Sequence, residues 1–382
     1  MNRHFNLLRE FSIPLIAGVV IALFWTNLDP GSYRHFVHAG LLGAFSVHFL
    51  TNDLFMVFFF GIAAAEITQS CLPGGDLHPI GRAVNPLLAT FGGVAGPVLV
   101  YLGLNALAGS PEFVNGCGIP TATDIAISWL AARIVLGNRH PAIAFLLMLA
   151  IVDDAIGMVI IAIFYPDTAV PVQPVWLILV AVGMMAAMVM RLKMVRSYWP
   201  YVVAGGGGVW CGLYLAGLHP ALALVPIVPF LPHPRREKKH LFEEDPKDIS
   251  TLARFEHEWK IVVDFGLFLF GLVNAGVQLT SVGTVTWLVL AGFLFGKLLG
   301  IFGCAWLGVR LGFHLPDGMN YRHLAVVAIV AGIGFTVSLF IANQAFADAV
   351  LQEQAKMGAL LSIGIAALAF VTGRLLGVRK IP

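Results

Sequence analysis

Charge is scarce in this sequence: only 12% of its 382 residues are Asp, Glu, Lys or Arg, against about 25% in a soluble domain. Cysteine is scarcer still. The four present, Cys71, Cys117, Cys211 and Cys304, share no C-x-x-C spacing, which argues against a thiolate metal site or a disulfide framework. The glycine run at 205–208 is followed by no Gly-Lys-Ser or Gly-Lys-Thr, so a phosphate-cradling loop is not expected. A net charge of +2 argues against nucleic acid and acidic partners. No small-residue cleavage site follows the first apolar stretch, which is itself long enough to span a bilayer, so a removable signal peptide is not expected.

What replaces charge is apolar length. Hydrophobic residues make up 58% of the chain, and the mean hydropathy is +0.86. The fold class expected is an all-α polytopic membrane protein, a single transmembrane domain over 1–382. Apolar windows of about 20 residues fall at 11–28, 52–69, 85–107, 120–137, 142–165, 174–192, 198–217, 219–232, 259–279, 284–309, 323–346 and 356–378, twelve in all. The eighth is short, and its division from the seventh at Leu218-His219-Pro220 is the weakest. Of 23 Lys and Arg, 20 fall at the termini and in the even-to-odd loops, two (Arg34 and Lys356) on the other side and one (Lys297) within a span. The positive-inside rule then places both termini in the cytoplasm.

Against this background three carboxylates stand out. Asp124 lies in Pro120-Thr121-Ala122-Thr123-Asp124-Ile125, and Asp153 and Asp154 are adjacent in Ile151-Val152-Asp153-Asp154. Counting from the polar turn at Arg139, Asp124 lies roughly 22 Å up one helix and Asp153 roughly 21 Å up the next. Two antiparallel helices thus bring all three acids to one depth near the bilayer midplane. An ionised Asp there costs about 2.5–3.5 kcal/mol on insertion scales, so such acids mark function by default. The structural alternative is that a buried Asp caps an interrupted helix, which suits Asp124 best.

Along the chain, residues 1–10 are amphipathic and expected on the cytoplasmic surface. Residues 32–51 permit a short periplasmic loop or hairpin, with His35, His38 and His48 read as solvated surface. Glu66, near the inner end of the second window, either focuses cations in a cytoplasmic funnel or snorkels to the interface. The third window carries Gly92-Gly93 and Gly96-Pro97, which let a neighbouring helix approach closely. Residues 233–258 form a cytoplasmic loop whose basic charge is nearly balanced by Glu243-Glu244-Asp245. Asp264 is read as a helix-terminal charge or as part of a vestibule. Lys297, in Gly296-Lys297-Leu298, is too deep to snorkel and needs an anion nearby. The fourth window is interrupted at Pro120 to Thr123 and the eleventh at Gly332 to Thr336; they are seven places apart in the order of spans, an odd number, so they enter from opposite sides. Paired interrupted spans of opposite orientation point to a secondary-transporter site.

These pieces, with Asn274-Ala275-Gly276-Val277 and Gly296-Lys297 followed by Leu299-Gly300-Ile301, resemble the NhaA-type sodium/proton antiporter family over essentially the whole chain. The resemblance implies about twelve transmembrane helices in two inverted repeats, with the fourth and eleventh broken and crossed, in a bacterial inner membrane. It implies that Asp154 is the principal sodium ligand, assisted by Asp153 and Thr123. Asp124 would compensate the positive half-helix ends and Lys297 the negative ones, and Lys297 would pair with Asp153 in one state. It further implies a homodimer with its contact in the loop after the first span. Two departures stand out: Ile67-Thr68-Gln69 replaces the family's charged residues after Glu66. Glu256-His257 keeps part of the motif tied to pH response at the cytoplasmic funnel, but Glu258-Trp259-Lys260 then replaces His-Pro-Trp.

Neighbours on a helix lie about 100° apart, so Asp153 and Asp154 cannot both point into one cavity. Sodium, or lithium, is a hard cation that prefers oxygen ligands, and protons compete for the same carboxylates. Such competition at a site exposed alternately to each side is antiport, expected to be electrogenic and to need no cofactor beyond its cargo. An enzyme is not expected: an intramembrane aspartyl protease needs acids on different helices, commonly with Gly-x-Gly-Asp, which is absent. The alternative is a sodium-coupled organic-solute symporter of similar fold, which would need a further organic-anion site.

Overall fold

Apolar runs in a bilayer can satisfy their backbone only by coiling into helices or closing into barrels, and the computed structural model of this chain takes the helical route. It describes residues 13–42, 45–72, 80–108, 110–137, 140–166, 172–233, 250–378 and 380. The amphipathic segment expected over 1–10 lies outside the described residues, as does 234–249 of the long loop.

Helix α1 (Ile13–Leu28) is followed by α2 (Pro30–His38), which starts at a proline and is capped by Asp29, whose carboxylate accepts the Ser32 N–H. A short antiparallel ribbon of β1 (Gly40–Leu42) and β2 (Phe45–Ser46) then leads into α3 (Val47–Cys71). The remaining long helices are α4 (Ile80–Ala108), α6 (Pro141–Phe164), α7 (Pro174–Leu192), α9 (Thr251–Asn274), α10 (Thr284–Arg310) and α13 (Ala349–Leu375). The shorter α8 covers Tyr201–Ala216. Six of the described helices, α3, α4, α6, α7, α10 and α13, are long and apolar enough to cross a membrane unaided; one sharply bent pair makes a seventh.

That bent pair is the fourth window. A tight 3-10 segment (Pro111–Thr121) stops, three residues run extended, and α5 (Ile125–Leu136) leaves at 59°. The eleventh window breaks in the same way: α11 (Tyr321–Val330) ends before Ala331 to Phe335, and α12 (Thr336–Ala345) resumes. The two breaks lie against each other. The Asp124 N–H donates to the Ile333 carbonyl at 2.8 Å, Ser128 Oγ to the Val330 carbonyl at 3.1 Å, and Ser338 Oγ to the Ile119 carbonyl at 2.7 Å. Backbone freed by each interruption is thus satisfied by the other. Gly334 is required at this crossing, because a Cβ there would stand 2.0 Å from the Phe293 ring and 2.5 Å from the Ala122 carbonyl oxygen.

Glycines also set a close helix pair, α4 against α10. A Cβ on Gly300 would stand 1.9 Å from the Gly92 carbonyl oxygen, and one on Gly92 would stand 2.0 Å from that of Gly300. Backbone meets backbone there, as the glycine-rich third window suggests. Where α3 begins and α9 ends, Asn52 and Asn274 exchange amide hydrogen bonds at 3.0 and 2.9 Å, and Asn343 of α12 donates to Asn274 at 2.6 Å. Buried amides of this kind tie the three helices together.

Three expectations need correction. The eighth window is not a helix: Pro220–Leu222 and Val228–Phe230 are single 3-10 turns joined by further turns, because Pro220, Pro226, Pro229 and Pro232 remove the donors a helix needs. Helix α9 starts at Thr251, not 259. Ser250 caps it by accepting the Ala253 N–H, so Glu256, His257 and Glu258 are helical rather than part of the 233–258 loop. His48 is not solvated surface; it lies half-buried at the start of α3, its Nε2 2.9 Å from the Asn52 amide.

Candidate functional site

Lys297 is entirely buried on α10, directly after a stretch of wider π-type turns at Gly292–Gly296. Its ammonium makes three contacts: the Thr121 carbonyl oxygen, Thr123 Oγ1 at 3.0 Å and Asp153 Oδ2 at 2.5 Å. Thr121 is the last residue of the 3-10 segment, so the lysine faces the carbonyl end of an interrupted helix, where a positive charge is favoured. Thr123 Oγ1 lies 2.7 Å from Asp153 Oδ2 and 2.9 Å from the Ala331 carbonyl oxygen; its one proton serves one of them at a time.

Asp124 does the opposite work. Its Oδ1 accepts the Ile127 N–H at 3.0 Å and its Oδ2 the Thr336 N–H at 3.3 Å. One carboxylate therefore closes the amino ends of α5 and α12 together, both of which carry positive partial charge.

Asp153 and Asp154 diverge as the helical turn between them requires. Asp153 is fully buried and faces α10, whereas Asp154 lines a cavity of about 620 Å³. Each leaves its Oδ1 buried without a hydrogen-bond partner. A buried acceptor without a donor is costly, and adjacent carboxylates with unspent oxygens suit a proton or a hard cation. The cavity's other polar lining is Glu66, Asp124, Lys260, Asp264 and Thr336. Lys260 bonds Glu66 at 3.0 Å.

The structure thus brings Asp124, Asp153, Asp154, Thr123 and Lys297 together, and joins Asp154, Asp124 and Glu66 through one cavity. Thr123 lies on the lysine side, between Lys297 and Asp153, and is not part of the cavity lining. Glu256 sits beside the mouth, accepting from Gln69 Nε2 at 2.6 Å and 3.8 Å from the Lys260 ammonium. His257 does not join them: it is exposed and absent from the cavity wall, because it is about 100° around α9 from Glu256. Asp264 lines the cavity, as its vestibule reading requires. Sequence reasoning assigned no site role to Lys260 or Thr336. The spacing of Glu256, Lys260 and Asp264 by four residues, which puts all three on one helix face, was the available signal.

Two interrupted helices packed break against break, with Asp124 closing both amino ends, Lys297 at one carbonyl end and two further buried acids beside them, define a membrane transporter for small cations. The family described as Na+/H+ antiporter 1 matches residues 4–373. The chain is 64% identical over 380 residues to the Na(+)/H(+) antiporter NhaA of Geotalea uraniireducens, covering 100% of this chain and 98% of that protein. It is 63% identical over 382 residues to the Na(+)/H(+) antiporter NhaA of Geobacter sulfurreducens, covering both in full. The chain belongs to this antiporter family. Its fold is also similar to that of the sodium proton antiporter MjNhaP1 from Methanocaldococcus jannaschii, with a TM-score of 0.57 at 13% identity, covering 96% of this chain and 92% of that one.

Proposed function

We propose that the cavity ending at Asp154 is the cytoplasmic approach of an inward-open sodium/proton antiporter, and that Asp154 is its principal sodium ligand. Sodium/proton exchange follows from family membership. The observation that carries the site assignment is the placement of Asp154, at the cavity wall with a buried, unpartnered Oδ1 and next to the Lys297-bound Asp153. Asp153 joins the ion's coordination once Lys297 releases it, and Thr123 adds its hydroxyl oxygen. Asp124 holds the amino ends of the half-helices and Lys297 the carbonyl end. Sodium and protons compete for the same oxygens, and rocking of one helix bundle against the other exposes them to each side in turn. If Asp154 gives up one proton and the Lys297–Asp153 pair another for each sodium, each cycle moves one net charge, which makes the exchange electrogenic.

The expected setting is a bacterial inner membrane crossed about twelve times, with internal inverted repeats, both termini cytoplasmic and lipid around the apolar belt. Residues 32–51 would provide the contact of a homodimer, which cross-linking between cysteines placed at Phe45 would register.

The test is Asp154→Asn, which keeps side-chain volume and loses the charge. In proteoliposomes carrying a pH gradient, it is expected to abolish sodium-dependent proton movement while the protein remains folded. Normal transport by this variant would remove Asp154 from the site.

A further inference from the structure

The cavity carries one feature that sodium binding does not call for: a fixed cation at its mouth. Lys260 belongs to α9 and Glu66 to α3, and their charged groups meet at 3.0 Å. A second carboxylate, Glu256, one turn before Lys260, stands 3.8 Å from the ammonium and is itself held by Gln69. The Lys260 side chain is 43% exposed, and it lines the same cavity as Asp154 and Asp264. A lysine buried for stability would be enclosed; this one stands in the opening.

A cavity walled by carboxylates concentrates cations by focusing negative potential. A tethered ammonium works against this in two ways. It cancels charge in the outer part of the cavity, and it holds the Glu66 oxygens at a high effective concentration that a free cation must overcome. Glu66 and Glu256 keep the ammonium at the mouth, away from Asp154, so its action on the inner site is through space and through the cation population near Glu66.

We propose that Lys260 is an affinity-setting residue of the antiporter: its ammonium competes with arriving sodium for Glu66 and raises the apparent KM for cytoplasmic sodium. The inference rests on the reading of this cavity as the sodium approach. Its exposure places it in a screened setting, so the effect is modest and depends on salt.

The experiment is sodium-driven proton movement in everted membrane vesicles, whose outer face is the cytoplasmic one, from a host without antiporters of its own. Lys260→Met is expected to lower the apparent KM for sodium about threefold at about 0.01 M ionic strength. The shift should shrink toward nothing when choline chloride raises ionic strength to about 0.3 M. Glu66→Gln should raise KM, and Glu66→Gln/Lys260→Met, which removes both charges, should return close to the parent value. Lys260→Arg keeps the charge and should keep KM; if Lys260→Met does not fold, Lys260→Gln takes its place. An unchanged or raised KM in the lysine variants, beside a raised KM in Glu66→Gln, would overturn the role of Lys260 and leave the cavity as the sodium path. If Glu66→Gln and Lys260→Met both leave KM unmoved, the path itself is elsewhere and the proposal falls with it.

Discussion

Replacing Lys297 by Met tests the buried centre most directly. The pair it breaks has no solvent: both side chains are fully buried, and among the described residues the donors to Asp153 Oδ2 are the ammonium and, when its proton turns that way, Thr123. Removing one partner of such a pair costs about 3–5 kcal/mol, because the remaining charge is left in a low-dielectric setting. The Thr121 carbonyl oxygen also loses the lysine as a donor. At roughly 2 °C per kcal/mol for a large domain, the melting temperature should fall by about 6–10 °C, readable from the fluorescence of the eight tryptophans. Adding Asp153→Asn should restore more than half of that loss, since the amide is neutral and its oxygen can still accept from Thr123. A coupling of well over 1 kcal/mol between the two positions is the expected signature. If Lys297→Met melts with the parent protein, or if the double variant is as unstable as the single one, the ion pair is not what holds this centre. Transport separates two further roles. Arg holds its proton tightly, so if Lys297 carries a proton through the cycle, Lys297→Arg should lose electrogenic exchange on a solid-supported membrane even if folded. Full currents from the Arg variant would reduce Lys297 to a fixed counter-charge.

Two other outcomes follow from packing and topology. Gly300→Ala would drive a methyl group to 1.9 Å from the Gly92 carbonyl oxygen; backbone cannot move aside as a side chain does, so destabilisation of about 1–3 kcal/mol or more is expected, and a thermal melt indistinguishable from the parent would contradict the α4–α10 contact. An impermeant thiol reagent should reach a cysteine at Ser110 from the periplasmic side and one at Lys193 only from the cytoplasmic side; the reverse labelling would invert the orientation drawn from the basic residues.

The acids and Lys297 are legible in sequence because a charge within a long apolar run is costly and stands out against it. Their partition is only half legible. Helical geometry separates Asp153 from Asp154 by about 100°, but which of them meets the lysine depends on how α6 is rotated against α4 and α10, which is a matter of tertiary packing. Lys260 escaped notice, and Asp264 kept two readings, for the opposite reason: near the end of an apolar window a charge is ordinary. The eighth window misleads because hydropathy averages over prolines, counting apolar side chains without registering missing N–H groups. His257 misleads because adjacency in sequence is not adjacency on a helix. Glu256 and Lys260, four apart, share a face; His257 turns away.

The pattern of satisfied and unsatisfied atoms separates groups that hold the site from groups that serve the cargo. Asp124 uses both carboxylate oxygens on backbone N–H groups at two helix ends, so it has least to offer a passing ion. Asp153 and Asp154 each keep one buried oxygen unspent. Lys297 stands between these classes, with three contacts of which only one is to a carboxylate. A charged lysine has three N–H donors; after losing a proton it keeps two. Those two are enough for Thr121 and Thr123, so the contact with Asp153 is the one that deprotonation would release. Asp153 would then be free to turn its oxygens to sodium while the helix end stays covered. On this reading the lysine can leave the ion pair without leaving its structural post, which is what a proton carrier at a fixed crossing needs.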